Sequence, residues 1–257
     1  TAAKLGATVP AMQNLTGHVA WITGAGTGIG ESAALKLAAA GCTIVVSGRR
    51  PEPLDSLVER IIAEGGVASS EPLDVSDKHA VSAVVQRILD AHSKIDICVL
   101  SAGINVTDRN WPVITTDAWD DVIAIDLNGA FYCCHSVLPS MREHGQGLII
   151  NVSSMAAKGI SALTGPAYIA AKHAMNAMTE SLLLEERNNG IRATIICPGE
   201  VATPILDQRP VPVSDEDKAR ILQSEDLGDL VLFVAQQPPH ITLNEILITP
   251  TYNRFGI

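Results

Sequence analysis

A run of glycines joins a short apolar segment to an alanine-rich segment near the start of the chain. The apolar segment covers residues 18–22, the run covers 23–30 with the sequence TGAGTGIG, and the alanine-rich segment extends to residue 40. Glycines allow a tight turn and a close approach of the backbone to a pyrophosphate, and a helix amino terminus offers unpaired N–H groups to it. Because a strand precedes the run and a helix follows it, the run predicts a dinucleotide-binding turn.

Apolar runs and helix-length segments alternate along the rest of the chain. Strands are predicted at 18–22, 43–46, 67–73, 95–100, 148–152, 191–197 and 245–248. Helices are predicted at 30–40, 53–64, 77–92, 117–141 (with a break near Asn128), 168–188 and 226–236. This alternation predicts an α/β, doubly wound fold with a seven-stranded parallel sheet and helices on both faces.

Composition limits the classes of protein that this chain can belong to. With 257 residues, 47% of them hydrophobic, the chain can bury one large core, and we expect a single catalytic domain at 17–257 after an N-terminal extension at 1–16. A net charge of −10 disfavours nucleic-acid binding. We find no apolar stretch of about 20 residues that predicts a membrane partner, no Cys/His spacing that predicts a metal site, and no secretion signal, so we expect a cytoplasmic location.

The end of the second predicted strand indicates which dinucleotide binds. In many dinucleotide sites an acidic residue about 20 residues beyond the glycine turn holds the adenine ribose hydroxyl. Here that place reads Ser47-Gly48-Arg49-Arg50, without a carboxylate. A guanidinium binds a 2′-phosphate through two hydrogen bonds, whereas a carboxylate repels it. The sequence therefore favours NADP(H), through Arg49, with NAD(H) as the alternative.

Four polar residues, in two groups, are candidates for catalysis. Tyr168 and Lys172 are four residues apart on a predicted helix and share one face. A free phenol has a pKa of about 10, and a nearby ammonium lowers it toward the range useful for a general base. Ser153 and Ser154 follow the fifth predicted strand, at the edge where doubly wound sheets bind ligands. A hydroxyl there can donate to a substrate oxygen that gains charge.

Taken together, these motifs resemble the short-chain dehydrogenase/reductase family. The glycine turn, the two serines, the Tyr168–Lys172 pair and the sequence PGEVATP at 198–204 occur in the order typical of that family, across about 18–248. The resemblance implies a Rossmann-type fold and a homo-oligomer, either a tetramer or a dimer, that packs through two long helices.

The resemblance also implies roles for individual residues. Tyr168 would be the general acid/base, Lys172 would lower its pKa and hold the nicotinamide ribose, and Ser154 would orient the substrate. Asp74 would contact the adenine and Thr203 the carboxamide. The cofactor-binding residues would be Gly24, Gly26, Thr27, Gly28, Ile29, Arg49, Asp74, Ala102, Gly103, Tyr168, Lys172, Pro198, Val201 and Thr203.

The chain departs from the family pattern at one catalytic position. The family has an asparagine that helps to hold a water of the proton relay, and the matching residue here is Asp126, in the string Asp126-Leu127-Asn128-Gly129. A carboxylate can hold that water too, but it adds a negative charge beside Lys172 and would raise the pKa of the lysine. We include Asp126 among the expected catalytic residues.

These observations predict an NADP(H)-preferring oxidoreductase that interconverts an alcohol and a ketone or aldehyde by hydride transfer. Two alternatives remain open at this stage. One is a reductase of carrier-bound 3-oxoacyl chains, which would share the same motifs, although the acidic composition argues against it. The other is a dinucleotide-binding sensor or scaffold with little turnover, which the carboxylate at Asp126 makes conceivable.

Overall fold

A computed structural model of the chain describes residues 12–252. The strands are β1 (Val19–Thr23), β2 (Thr43–Ser47), β3 (Val67–Ser70), β4 (Ile97–Leu100), β5 (Gly147–Val152), β6 (Ile191–Pro198) and β7 (Glu245–Ile248). The α-helices are α1 (Gly28–Ala39), α2 (Pro51–Ala63), α3 (Lys78–His92), α4 (Thr116–Ile123), α5 (Ala130–His144), α6 (Pro166–Glu186), α7 (Asp215–Lys218) and α8 (Ser224–Ala235). Short 3₁₀ turns lie at Met155–Ala157, Arg187–Asn189 and Pro204–Gln208, and a π turn lies at Ala124–Gly129.

The seven strands form one sheet in the order β3-β2-β1-β4-β5-β6-β7, and every neighbouring pair is parallel. This confirms the doubly wound fold. The strand order reverses between β1 and β4, and this crevice at the carboxyl ends of the strands is where such sheets bind ligands. The four central strands are almost wholly buried, because helices cover both faces of the sheet.

Alternate residues of β1 supply the two faces of the core. Ala20 and Ile22 point into a hydrophobic cluster with residues of α1, α2 and α8. Val19 and Trp21 point into a second cluster with residues of α3, α5 and α6. The indole nitrogen of the fully buried Trp21 donates a hydrogen bond of 2.9 Å to the Ser47 hydroxyl. The period-two alternation of side chains thus connects one strand to both helical layers.

The helix predicted at 117–141 is longer than expected and is interrupted only by the π turn. Residues Thr116–His144 form one 29-residue helix, and an 18-residue window within it has a mean hydropathy of 1.2, so by length and composition alone the helix could cross a membrane. Val137 and Met141 of this helix are buried in the cluster shared with α3 and α6. Packing within the core accounts for its apolar character, and one such helix is weak support for a membrane span.

The predicted N-terminal extension at 1–16 lies largely outside the described residues, which also exclude 253–257. Within the described part, Leu15 is buried in the core and the backbone N–H of Gln13 donates to the carbonyl of Gln236. The boundary between extension and domain therefore stays a prediction.

All five cysteines are buried and free. Burial raises the pKa of the Cys42 and Cys134 thiols to about 12, and it also raises those of Cys98, Cys133 and Cys197. The thiolate is the nucleophilic form, so these side chains are poor nucleophiles at neutral pH.

Gly24 allows the turn after β1 to lie directly against the segment after β4. It adopts a φ of +65°, and a Cβ at this position would lie 2.6 Å from the backbone nitrogen of Ala102. Gly17 also has a positive φ, +79°, but a Cβ there would meet no atom within 4 Å. The two glycines share the backbone conformation and differ in the space around them.

We expect Gly24→Ala to destabilise the fold much more than Gly17→Ala. The positive φ alone costs an L-residue about 1–2 kcal/mol, and both variants incur this cost. The contact with Ala102 adds an overpacking cost of about 1–3 kcal/mol to Gly24→Ala alone. Urea unfolding of both variants and the parent measures the difference, and equal losses at the two positions would show that the close approach costs nothing.

Candidate active site

Five segments of the chain meet at the carboxyl edge of the sheet. Four of them follow β1, β4, β5 and β6 directly, since parallel strands place their carboxyl ends on the same side. The fifth is the amino-terminal part of α6, which begins at Pro166 after Gly165 with a φ of +75°. Each predicted catalytic or cofactor residue lies on one of these segments, on the π turn, or in the turns that follow β2 and β3.

Tyr168 and Lys172 lie one turn apart on α6, as their spacing predicts. The lysine Nζ is 5.4 Å from the centroid of the tyrosine ring. Lys172 is buried, and its Nζ is 3.4 Å from the carbonyl oxygen of Val152, to which it donates. The ammonium is therefore held between β5 and the phenol.

The two serines after β5 point in different directions. The Ser153 hydroxyl is buried and donates a 2.6 Å hydrogen bond to the Asn176 side chain. The Ser154 hydroxyl accepts a hydrogen bond from the backbone N–H of Ala156 at 3.1 Å, and its hydrogen-bonding effect on the Tyr168 phenol lowers the pKa of that group. The structure thus brings the second serine, which the sequence singled out, next to the tyrosine.

Asp126 occupies the π turn and is completely buried. Its Oδ1 accepts a 2.7 Å hydrogen bond from the backbone N–H of Ile104, and its Oδ2 lies 3.3 Å from Lys172 Nζ. Within residues 12–252 no donor reaches Oδ2 with good hydrogen-bond geometry, so that oxygen has only the ionic contact. Burial raises the pKa of the Asp126 carboxyl, against the lowering effects of Lys172 and of the bond from Ile104.

This carboxylate changes the acid–base character of the whole cluster. Burial raises the pKa of Tyr168, and the charge of Asp126 raises it further, while Lys172, Ser154 and Arg109 act to lower it. The net direction is upward, whereas the sequence alone suggested that Lys172 would lower it. Burial by itself lowers the pKa of Lys172, but Asp126 and Tyr168 outweigh it and raise that pKa, as the departure from the family pattern led us to expect.

The glycine turn forms a cradle for an anionic group at the amino terminus of α1. Gly28 begins the helix with a φ of +63°, and Thr27 adopts the N-cap position without a side-chain cap. A Cβ on Gly28 would lie 3.0 Å from the Thr203 methyl group, which places the segment after β6 against the turn. The first N–H groups of α1 and the Thr27 hydroxyl thus suit a diphosphate.

A cleft next to the turn holds the residues predicted to contact the adenosine end of the cofactor. Its empty volume is about 430 Å³, and its lining includes Gly24, Arg49, Asp74, Ala102 and Gly103. Arg49 is exposed, and within the described chain it forms no ion pair. One oxygen of Asp74 accepts bonds from the backbone and hydroxyl of Ser76.

Other predicted residues have structural surroundings that the motifs did not show. Pro198 ends β6, Val201 is buried and bridges to Leu222, and Ile29 packs against the core. Gly103 lies beside the catalytic cluster, because a Cβ there would be 3.3 Å from Asp126 Oδ2 and 3.4 Å from Lys172 Nζ. A side chain at Gly103 would therefore crowd the ion pair.

One charged residue that lies close to the site was not identified from the sequence. Arg109 is 5% exposed, and it and Tyr168 each shift the pKa of the other. It lies in an irregular loop and belongs to no motif, so no sequence signal marks it. Trp111, in the same loop, is 78% exposed. Trp119 does pack with Tyr168 in a small apolar cluster.

No group of three or more His, Cys, Asp or Glu side chains in the described part of the chain has the arrangement of a metal site.

The sequence of this chain is similar to those of known oxidoreductases. A family model described as short chain dehydrogenase matches residues 18–211. An uncharacterized oxidoreductase of Staphylococcus saprophyticus is 32% identical over 243 residues, which are 93% of this chain and 100% of the relative. Another, of Bacillus subtilis, is 36% identical over 197 residues, which are 77% of this chain and 71% of the relative.

A solved structure has the same fold. It is a metagenomic short-chain oxidoreductase in complex with NADP, and it matches with a TM-score of 0.81 and 30% sequence identity. The match covers 94% of this chain and 100% of that one.

We expect Asp126→Asn to lower the pKa of Tyr168, because it removes a negative charge that raises it. The phenolate absorbance of each protein, minus that of the same protein carrying Tyr168→Phe, gives the titration of this tyrosine alone. It should shift to lower pH in Asp126→Asn.

Asp96→Asn is the matched control for this titration. Asp96 is also a buried carboxylate with a backbone N–H bond and a lysine partner, but it lies at the amino end of β4, the opposite edge of the sheet. We expect Asp96→Asn to leave the pKa of Tyr168 unchanged. An unchanged titration in Asp126→Asn would mean that the carboxylate does not act on the phenol.

Proposed function

Since the chain belongs to the short-chain dehydrogenase family of NAD(P)-dependent oxidoreductases, we propose that it interconverts an alcohol and a ketone or aldehyde with NADP(H). In this proposal Tyr168 is the general acid/base. The observation that carries it is the convergence of the Tyr168 phenol, the Lys172 ammonium and the Ser154 hydroxyl at the carboxyl edge of the sheet, the edge at which the glycine turn also lies.

The residues at the turn fit a dinucleotide. The turn is a cradle in which side chains at Gly24 and Gly28 would clash, and the helix amino terminus behind it has free N–H groups. When bound, the nicotinamide supplies or accepts the hydride. Thr27, Gly26 and Ile29 would bind the phosphates, and Pro198, Val201 and Thr203 would face the nicotinamide end.

The chain's own residues then perform the proton chemistry. In the reductive direction Ser154 donates a hydrogen bond to the carbonyl oxygen, and Tyr168 gives that oxygen its proton as the alkoxide forms. Lys172 would hold the nicotinamide ribose hydroxyls, and its positive charge beside the phenol stabilises the tyrosinate that remains. Asp126 positions the lysine and can hold a water that returns a proton to it.

The raised pKa of Tyr168 favours the reductive direction. A phenol with a raised pKa keeps its proton at neutral pH, so it is ready to donate to a carbonyl and slow to accept from an alcohol. We therefore propose ketone or aldehyde reduction as the direction in which this site works best near neutrality.

Arg49 supports a preference for NADP(H). It is exposed at the end of β2, it lines the same cleft as Gly24 and Asp74, and no acidic residue stands at 47–50. Its guanidinium would bind the 2′-phosphate of the adenine ribose, and the NADP complex of the structural neighbour agrees with that choice.

We also propose that the chain works in the cytoplasm as a homo-oligomer, a homotetramer or a dimer. Phe131 on α5 and Leu184 on α6 are exposed, at 49% and 64%. Apolar residues on the outer faces of these two helices suit the helix packing that the family resemblance implies.

We expect Tyr168→Phe to abolish turnover while it leaves the cofactor bound. Loss of the proton donor should lower kcat by about 10²–10⁴-fold, and the Kd for NADPH should change by less than about threefold, since the ring and its contacts stay. Oxidation of NADPH with a panel of aldehydes and ketones gives the rates, and NADPH fluorescence gives the affinity.

Tyr132→Phe, on α5, is the control, and it should keep parental turnover. Parental turnover in Tyr168→Phe would remove the tyrosine from the mechanism. If the parent protein binds NADPH but reduces none of the panel, the sensor alternative gains support.

We expect Arg49→Asp to reverse the cofactor preference. It removes a charged two-point contact to the 2′-phosphate and adds a repelling carboxylate, so the ratio of kcat/KM for NADPH over NADH should fall about 100-fold.

Arg50→Asp is the matched control, because it makes the same change of charge one residue along the chain, at the N-cap of α2. We expect the same ratio to change by less than about threefold in this variant. An unaltered preference in Arg49→Asp would show that another residue contacts the 2′-phosphate.

A further inference from the structure

Arg109 is a buried cation at the meeting point of three loops around Tyr168. It lies in the segment between β4 and α4 and is 5% exposed. One Nη donates to the carbonyl of Gln208 after β6, and the other lies 3.5 Å from the carbonyl of Leu163 before α6. The backbone of Gly165, where α6 begins, packs directly against the carbonyl of Arg109. The guanidinium therefore connects these loops, and it lies close enough to Tyr168 for each of the two groups to shift the pKa of the other.

Its charge is not balanced by a carboxylate. The neighbouring cations have partners: Lys172 pairs with Asp126, Arg209 with Glu200, and Lys218 with Asp207. In the described part of the chain no acidic group lies within ion-pair distance of Arg109.

The groups that act on the Arg109 charge are not carboxylates either. Burial lowers its pKa, Arg209 lowers it further, and the nearby Tyr168 raises it. Asp108, the preceding residue, is exposed and in no ion pair within the described residues. The surroundings of Tyr168 thus carry one uncompensated positive charge that is shielded from water.

Its hydrogen-bonding capacity is also incompletely used. A guanidinium has five N–H donors, and the Nε of Arg109 is buried without an acceptor among residues 12–252. Buried donors nearly always have a partner, so an unsatisfied one beside a reactive phenol points to a missing ligand. The Nε–H and the adjacent Nη–H form a fork that matches the two oxygens of a carboxylate.

We propose that Arg109 binds a carboxylate of the substrate, so that the enzyme acts on oxo acids and the corresponding hydroxy acids. This inference rests on the proposed function and names the substrate class of that same site. A single carboxylate neutralises the one excess charge, satisfies the free Nε–H, and positions the carbonyl carbon a few bonds away at Tyr168 and Ser154.

The test compares acids with their neutral esters in the NADPH-loaded protein. The probes are pyruvate, acetoacetate and levulinate, which differ in the spacing of carbonyl and carboxylate, and the methyl ester of each. For at least one pair we expect the parent to have a kcat/KM at least about tenfold higher for the acid.

Substitution of the arginine should act on the acid preference. Arg109→Gln should lower the ratio of kcat/KM for the acid over that for its ester about thirtyfold, mainly by raising KM for the acid. Arg109→Lys keeps the positive charge, so it should retain part of the preference for the acid. Arg209→Gln is the matched control, since it removes a neighbouring cation that already has a carboxylate partner, and it should leave the ratio within about threefold.

A binding measurement separates this inference from the proposed function. Thermal unfolding of the NADPH-loaded parent and of Arg109→Gln is recorded with each acid and each ester. We expect the acids alone to stabilise the parent, and this stabilisation to be lost in Arg109→Gln. Because it needs no turnover, it tests Arg109 even if no probe is reduced.

The outcomes are distinct. Reduction of the esters or of a neutral ketone, with no preference for any acid, leaves the proposed function standing and overturns the role of Arg109. If Arg109→Gln lowers kcat/KM equally for acid and ester and also lowers the unfolding temperature, Arg109 only stabilises the packing of the loops. That result would also overturn its role as a carboxylate-binding residue. Stabilisation by acids through Arg109 without reduction of any probe supports the carboxylate site and counts against the proposed function.

Discussion

The ion pair between Asp126 and Lys172 connects the segments that make up the active site. Through the N–H of Ile104 the carboxylate holds the loop after β4, and through Lys172 it holds the middle of α6. The same ammonium donates to the carbonyl of Val152 on β5. One contact between two buried charges thus fixes the relative positions of the π turn, the β4 loop, β5 and α6, and with them the position of the tyrosine.

Burying two charges is costly unless each compensates the other. Removal of one member of such a pair typically costs about 3–5 kcal/mol, because the other is left uncompensated. The π turn widens the helix by one residue where Asp126 points inward, which is a common way to aim a functional side chain. In place of a neutral amide, this chain uses a charged group that both holds the lysine and raises the pKa of the phenol.

The fold was predictable because its signals are local. Alternation of apolar runs with helical segments gave the seven parallel strands, and the spacing of Tyr168 and Lys172 gave their shared helix face. The length of the helix at Thr116–His144 and its π turn were not predictable, because one extra residue in a helical turn does not visibly change the spacing of apolar residues along the sequence.

The electrostatic surroundings of the site were harder to predict from the sequence than the identity of its residues. The direction of the Tyr168 pKa depends on burial and on Asp126, which lies 42 positions earlier in the chain. Arg109 belongs to no motif, and only the meeting of three loops in space brings it to the phenol. The roles of the individual site residues remain predictions until the variants are measured.

The burial of all five thiols has a practical consequence for the study of motion. A fluorophore or spin label that reacts with cysteine will find no accessible native target in the folded protein. A single cysteine introduced at an exposed position such as Val211, in the loop between β6 and α7, would therefore be the one position that such a label modifies. Any change in the surroundings of that loop, for example when a cofactor binds, can then be recorded from this single position.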